Sequence, residues 1–277
     1  GVDRSECYYE TPNIDRLADR GISFTQGYAC PSCSPARSSI LTGRIAARMG
    51  FTVAAPPIIK TYFNTNTPVP EGWFGHDMIV RPKPASQSLV NGTSALALGS
   101  GGDAANDVDQ TTLAEALVDY DSAFIGKWHL GAHGAEGYQP RDQGFEEIAY
   151  HDNGGSVHFN WRGPFERRHT LHKGRMGKAG PDDTGQDYLA DDLAARAVRY
   201  IRDHANAPKP FFLYLCQFAV HSPFQCKPGH EEYFSEKPNR GWNGHENPVY
   251  AGMIKSLDDS VGKITDAIDG AGIADNT

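Results

Sequence analysis

The segment Phe211-Phe212-Leu213-Tyr214-Leu215-Cys216 constrains the fold of this chain more than any other part of the sequence. An almost continuous apolar run of this kind is typical of a central strand buried on both faces, as found in parallel sheets that helices cover. Apolar residues at helical spacing precede the run over about 186–204 and follow it over about 250–270, stopping at Gly270-Ala271-Gly272. This alternation of strand and helix patterns predicts an α/β fold.

Shorter patterns predict the other regular elements. A first helix is expected to begin at Thr11-Pro12, to turn Ile14, Leu17 and Ala18 inward and to stop at Gly21, followed by a strand at Ile22-Ser23-Phe24-Thr25. A second helix is expected after Cys33, with Ile40 and Leu41 turned inward and its end near Gly43. A capping box at Thr112-Leu113-Ala114-Glu115 predicts a third helix through Leu117 and Val118, and a strand is expected at Ala123-Phe124-Ile125. The stretch from Gly50 to about Gln110 has no clear period and holds six prolines, so we expect a long loop excursion there.

Composition excludes several classes of protein. With 277 residues, 39% of them hydrophobic, the chain is long enough to bury a sizeable core. A net charge of -8 argues against nucleic acid as the main partner, because phosphate binding needs clustered Lys and Arg. No apolar run approaches 18 residues, so no membrane span is expected. Polar residues follow Gly1 where a signal peptide would be apolar, so we expect either a cytosolic protein or a missing start.

The sharpest local pattern is Cys30-Pro31-Ser32-Cys33-Ser34-Pro35-Ala36-Arg37, which runs on to Leu41-Thr42-Gly43-Arg44. A redox dithiol or half of a zinc site is one reading of Cys30 and Cys33, but no second Cys-x-x-Cys or suitably spaced His pair follows. A phosphatase-type loop needs five residues between Cys and Arg. Six separate Cys30 from Arg37 and three separate Cys33 from Arg37, so that reading fails.

The pattern that remains, Cys33-x-Pro35-x-Arg37 with Leu41-Thr42-Gly43, resembles the type I sulfatases of the alkaline phosphatase superfamily. The resemblance extends to nearly every predicted core element, through Thr11-Pro12-Asn13-Ile14-Asp15-Arg16-Leu17-Ala18, Gly126-Lys127-Trp128-His129-Leu130-Gly131, His221-Ser222-Pro223 and the helix from Tyr250 to Gly262. It implies a three-layer αβα sandwich around a mostly parallel sheet. Residues 1–277 would then be one catalytic domain, incomplete at both ends.

The resemblance also implies the chemistry. In this family the Cys is oxidised to formylglycine, whose hydrate attacks sulfur and forms a covalent sulfo-enzyme intermediate, which identifies Cys33 as the nucleophile. A nucleophile at a helix N-terminus faces amides that stabilise an anion, and Arg37 lies one turn further on. Lys127 and Arg37 would bind sulfate, His129 would assist the diol and its collapse, and His221 would contact sulfate and protonate the leaving alcohol. Lys127 and His129 would point the same way if the strand stays extended.

Family members hold one Ca²⁺, bound by the formylglycine and by an Asp-Asp and an Asp-Asn pair. By resemblance, Cys33 as formylglycine would be a ligand, while the Asp-Asp pair should precede Gly1 and the Asp-Asn pair should follow Thr277. Three pairs of Asp or Asn residues inside the chain are not expected to bind the metal. Asp152-Asn153 and Asp275-Asn276 are predicted to lie in turns, and Asp258-Asp259 to form a solvated helix face or a cap-like contact.

The resemblance implies a sulfated small molecule or glycan as substrate, a formylglycine-generating maturation enzyme as partner, and export to the periplasm or cell exterior in complete form. A basic stretch with aromatic residues, between Trp161 and Lys178, is a candidate for steering a polyanionic glycan or else a solvated loop. Two other functions stay open: a phosphate or phosphonate ester hydrolase of the same superfamily, and a non-catalytic protein that binds sulfated glycan.

Overall fold

The fold is taken from a computed structural model, which describes residues 7–45, 111–130, 140–145, 147–149, 158–159, 161, 186–238, 241 and 244–277. Three of the predicted features lie outside these residues: the excursion over about 50–110, the pair Asp152-Asn153 and the basic stretch from Arg162 to Lys178.

A parallel sheet lies at the centre of the described structure. Its strands are β1 (Asp121–Gly126), β2 (Glu147–Ala149) and β3 (Phe211–Cys216), in the order β2-β1-β3. In the register Phe124 lies beside Ile148 on one side and Tyr214 on the other. The predicted α/β fold with a parallel sheet is therefore confirmed. The central position predicted for β3 is wrong among the described strands, because β1 lies between the other two and most of β3 is only half-buried.

Helices cover the sheet. The structure has α1 (Pro12–Arg20), α2 (Cys33–Thr42), α3 (Leu113–Ala116), α4 (Leu189–His204), α5 (Pro228–Glu236) and α6 (Pro248–Gly270), with short 3-10 turns at Pro140–Gln143 and Ala274–Asn276. In the described residues, no helix has the length and apolar character that a membrane crossing requires.

Successive residues of β1 face opposite sides of the sheet, and a separate core forms on each side. Phe124 packs with Trp128, Phe145, Ala114 of α3 and Leu41 of α2. Ile125 packs with Trp161, Phe218 and the α4 residues Leu189, Leu193 and Ala197. Helices therefore lie on both faces of the sheet, as the three-layer αβα arrangement requires.

A remote carboxylate caps the first helix. Thr11 makes no side-chain cap at α1; instead the buried Asp258 of α6 accepts the backbone N–H groups of Asn13 at 3.1 Å and Ile14 at 2.8 Å. Asp258 is thus the cap-like contact that the sequence suggested. Its neighbour Asp259 forms an ion pair with Lys255 at the protein surface.

Four details of the predicted elements are wrong. No strand forms over 22–25, where Ile22 and Phe24 are more than 80% exposed, since no neighbouring strand pairs with them among the described residues. Ile40 and Leu17 face solvent rather than the core. Helix α1 does stop at Gly21, which is extended, and Gly43 adopts the left-handed conformation that ends α2. Helix α3 stops at Ala116, so Leu117 and Val118 lie beyond it.

Candidate active site

Cys33 is the first residue of α2. Ser32 before it is extended, with φ -127° and ψ 153°, and the helix begins with the next residue. The buried Ser34, Pro35, Ser38 and Leu41 fix this helix against the rest of the molecule. The partly exposed Cys33 side chain therefore stands where the first amides of α2 have no partner within the helix.

Lys127 meets this side chain from the end of β1. Its backbone N–H donates to the carbonyl of Cys216 at 2.8 Å, which continues the pairing of β1 with β3 beyond the last strand residue. Gly126 makes this approach possible: its φ is 103°, and a Cβ there would lie 1.9 Å from the carbonyl oxygen of Cys216. The Lys127 side chain is buried, and its charge interacts with the side chains of Cys33 and Arg37.

Burial is the main reason that the pKa of Lys127 lies below its ordinary value, and the nearby Arg37 charge lowers it further. Cys33 and Cys216 act in the opposite direction and raise it. Two cationic side chains therefore lie close together in a poorly hydrated site, an arrangement that an anion would stabilise.

Arg37 joins the two halves of the site. Its Nη1 donates to the carbonyl oxygen of Lys127 at 2.6 Å, and its positive charge acts on the buried thiol of Cys216. Its Nε is buried and has no hydrogen-bond partner among the described residues. Burial raises the pKa of Cys216 even though Arg37 and Lys127 oppose it, so this thiol stays protonated.

His129 follows Lys127 by two residues and is also buried. The expected extended geometry does not persist beyond β1, because Gly126 has φ 103° and His129 has φ 57°. Alternation along a strand therefore does not explain why both side chains are buried. The turn that starts at Gly126 places them.

His221 lies in the loop after β3 and is exposed. Its backbone N–H donates to the carbonyl of Phe218 at 2.9 Å, and its Nδ1 donates to the carbonyl of Ser222 at 2.6 Å. The structure thus joins Arg37 to the backbone of Lys127 by a hydrogen bond and brings the charge of Lys127 close to Cys33. The hydrogen bonds of His221 lie within its own loop and with His158. Sequence reasoning missed Cys216 and His158 as neighbours of these residues. Only Cys216 had a signal, as the last residue of the predicted strand.

The described residues contain no group of three or more His, Cys, Asp or Glu side chains that could hold a metal ion. Asp275 and Asn276 lie in an exposed 3-10 turn, and Asp258 is engaged as the cap of α1. These residues do not fit a calcium site, and we derive no step through one. All five cysteines are free thiols, and Cys30 lies 3.4 Å from the hydroxyl of Ser39.

Comparison with known proteins gives one consistent set of matches. A family model described as Sulfatase matches residues 5–277. The chain is 29% identical over 282 residues to human N-acetylgalactosamine-6-sulfatase, covering 97% of this chain and 44% of that protein. It is 28% identical over 287 residues to mouse arylsulfatase G, covering 94% and 44%. The chain thus spans less than half the length of these relatives.

Among solved structures, the chain resembles Ps i-CgsB in complex with k-i-k-neocarrahexaose, with a TM-score of 0.62 and 25% identity. The likeness covers 96% of this chain and 51% of that one.

Proposed function

The chain belongs to the sulfatase family, and from that premise we propose that the whole protein hydrolyses sulfate esters of a sulfated carbohydrate. The observation that carries the proposal is the cationic cradle, by which we mean the side chains of Arg37 and Lys127 around residue 33. Arg37 donates to the backbone carbonyl of Lys127 at 2.6 Å, and the charge of Lys127 interacts with Cys33 and with Arg37. A tetrahedral anion attached at position 33 would meet both positive charges and the N-terminal amides of α2.

The position of Cys33 fits the formylglycine that the family forms from this residue. The side chain is partly exposed, lies at a helix N-terminus and is close to the charge of Lys127. When formylglycine is present, its hydrated aldehyde supplies the nucleophile for attack on sulfur. The proposal therefore requires a formylglycine-generating maturation enzyme as a partner of this chain.

Lys127 and Arg37 are proposed to bind the sulfate oxygens and to stabilise the charge that develops there in the transition state. Fixed donors in a site shielded from water act strongly on such charge because they need no reorganisation during the reaction. His129, buried two residues from Lys127, is proposed to accept the proton whose removal releases sulfate.

His221 is proposed to protonate the leaving alcohol. Its Nδ1–H is occupied by the carbonyl of Ser222, so Nε2 is the nitrogen that remains for proton transfer. His221 is exposed at the end of the loop after β3, which suits a group that meets the part of the substrate beyond the sulfate.

A sulfated carbohydrate is proposed as the substrate because the chain belongs to the sulfatase family and the names of two similar proteins contain a carbohydrate: N-acetylgalactosamine-6-sulfatase and the complex with k-i-k-neocarrahexaose. We also propose that residues 1–277 belong to one catalytic domain and that the whole protein is exported to the periplasm or beyond. Fractionation of the producing cells tests the location: enzyme confined to the cytoplasm would contradict export.

Paired kinetics test the proposed reaction. The whole protein, produced with its maturation enzyme, is assayed on an aryl sulfate and on the matching aryl phosphate, with Cys33→Ala as the control variant. We expect faster turnover of the sulfate and loss of that turnover in Cys33→Ala. Preference for the phosphate would identify a phosphoester hydrolase, and glycan binding without turnover of either ester would identify a non-catalytic binding protein.

A further inference from the structure

His158 lies outside the residues assigned so far, yet its ring contacts the backbone of one of them. Its side chain has no solvent exposure, and its Nε2 lies 3.0 Å from the carbonyl oxygen of His221. A carbonyl oxygen only accepts hydrogen bonds, so Nε2 of His158 carries the proton and donates it. The fully buried ring of His158 therefore binds the backbone of the exposed His221.

His158 makes contacts through both its backbone and its ring. Its backbone N–H donates to Oε1 of Gln225 at 2.8 Å, and its carbonyl accepts the N–H of Leu189, the first residue of α4, at 2.9 Å. Its ring stacks on Tyr188, with centroids 5.8 Å apart and planes 23° apart. The Tyr188 hydroxyl donates to the carbonyl of Gln225 at 2.8 Å. The His221 loop is thus tied at 221 and at 225 to the start of α4.

The ring of His158 is suited to act as a neutral hydrogen-bond donor in a fixed position. Burial lowers its pKa and the neighbouring charge of His221 acts in the same direction, while the bond to the His221 carbonyl opposes them. Its Nδ1 is buried and has no hydrogen-bond partner among the described residues, as fits the nitrogen without a proton in this tautomer.

The hydrogen bonds of His221 leave one atom for chemistry. Its backbone N–H, its carbonyl and its Nδ1 bind Phe218, His158 and Ser222 respectively. The carbonyl bond fixes the peptide plane between His221 and Ser222, and the carbonyl of Ser222 in turn orients the His221 ring. A change at His158 therefore reaches Nε2 of His221 through two hydrogen bonds.

We propose that His158 is a positioning residue that sets the direction of Nε2 of His221 toward the leaving oxygen of the sulfate ester. The inference rests on the proposed function, in which His221 donates a proton to that oxygen. Proton donation matters most when the leaving group is a poorly acidic alcohol, such as a sugar hydroxyl, and least when it is an acidic phenol.

This dependence separates positioning from general damage to the fold. His158→Phe keeps the buried ring and removes the donor, whereas His158→Gln places an amide N–H near the position of Nε2. In the whole protein carrying formylglycine, we expect His158→Phe to lower kcat on a sulfated sugar by about tenfold or more, with little change on nitrophenyl sulfate. We expect His158→Gln to recover most of that loss. KM for both substrates should change little.

His221→Ala serves as the reference variant. If it slows both substrates equally, the proposed role of His221 is wrong. If it selectively slows the sugar substrate while His158→Phe slows neither or slows both alike, the positioning role is overturned and the proposed function stands. Should His158→Phe fail to fold, Tyr188→Phe weakens the same loop by removing the bond to Gln225. A smaller loss confined to the sugar sulfate supports the inference, and an equal or absent effect on the two substrates overturns it.

Discussion

Lys127 and Arg37 bring two positive charges together where little water reaches them. The arrangement costs electrostatic free energy, and burial and the Arg37 charge both lower the pKa of Lys127. The Lys127 carbonyl accepts a hydrogen bond from Arg37, and the Cys33 and Cys216 side chains act to raise the pKa of Lys127. An anion bound at residue 33 would relieve the repulsion, so the two residues gain most of their favourable interactions when substrate is present.

Lys127→Met should reduce catalysis without unfolding the protein. The change keeps an unbranched side chain only one atom shorter and removes the ammonium, so we expect kcat on an aryl sulfate to fall by about 10²–10³-fold. Steady-state kinetics together with the melting temperature measure the two effects separately.

The matched control is Lys209→Met. Lys209 is partly exposed and pairs with Asp121 at 3.1 Å, at the opposite end of β1 from Lys127. Surface pairs of this kind contribute about 0–1 kcal/mol, so activity and stability should stay near those of the unchanged protein. Similar losses in the two lysine variants would contradict the role given to Lys127.

Among secondary-structure elements, the contact between the ends of β1 and β3 positions the site. Gly126 lies so close to Cys216 that any side chain there meets the neighbouring backbone. Both strands would have to separate, and Lys127 and Arg37 would move with them.

Gly126→Ala should therefore destabilise the protein by more than about 2 kcal/mol, from the positive φ and from the clash with a backbone carbonyl. Gly229→Ala in α5 is the control, because nothing lies within 4 Å of the added Cβ and alanine favours a helix. Urea unfolding of both variants checks this. Equal stability of the two would mean that the strands are not as close as described.

Asp191 at the start of α4 links three parts of the chain. Its carboxylate is bound by Lys227 at 2.9 Å and by Lys263 of α6 at 2.8 Å. Burial alone would raise its pKa, but the hydrogen bonds and charges of the two lysines outweigh it and hold the pKa below the ordinary value.

A carboxyl group whose pKa is lower in the folded state stabilises that state above its unfolded pKa of about 3.9, and the contribution disappears as the pH falls through the folded value. Asp191→Asn should thus lower the free energy of unfolding by about 1–3 kcal/mol at neutral pH, with the difference shrinking on acidification below about pH 4. Urea titrations across that range measure it. A difference that stays constant or grows would contradict the ion-pair account.

Local signals predicted several helix ends correctly. Thr112 and Glu115 form the full capping box, and Gly43 takes the left-handed conformation that stops α2. Contacts between residues that are far apart in the sequence were not predicted. The cap of α1 comes from Asp258, some 245 positions away, and the tie from His158 to His221 spans 63. No periodicity or spacing in the sequence indicates such contacts, which explains why the motif at Cys33 could be recognised from the sequence and these two contacts could not.

At the scale of the whole molecule, the chain has a net charge of -8, whereas the cationic cradle is locally positive. The anion binding proposed here therefore rests on the local charges of Lys127 and Arg37 and on the amides of α2, and not on the average field. A ligand that binds only the folded state raises the stability of the entire protein.

Inorganic sulfate should raise the melting temperature of the unchanged protein, because it binds the folded state alone. At about 100 times its Kd the gain is about 2.7 kcal/mol. Sodium chloride at equal ionic strength should give a smaller shift, and Lys127→Met should lose most of the sulfate effect. A thermal shift assay reads all three, and an equal response to chloride would count against a specific site.

The mass of the peptide that contains residue 33 tests the central claim most directly. The protein is produced together with a formylglycine-generating enzyme, and a second sulfatase made in the same cells shows that the enzyme is active. We predict the mass of the aldehyde or its hydrate at position 33. An unmodified cysteine there, alongside full conversion of the second sulfatase, would contradict the account.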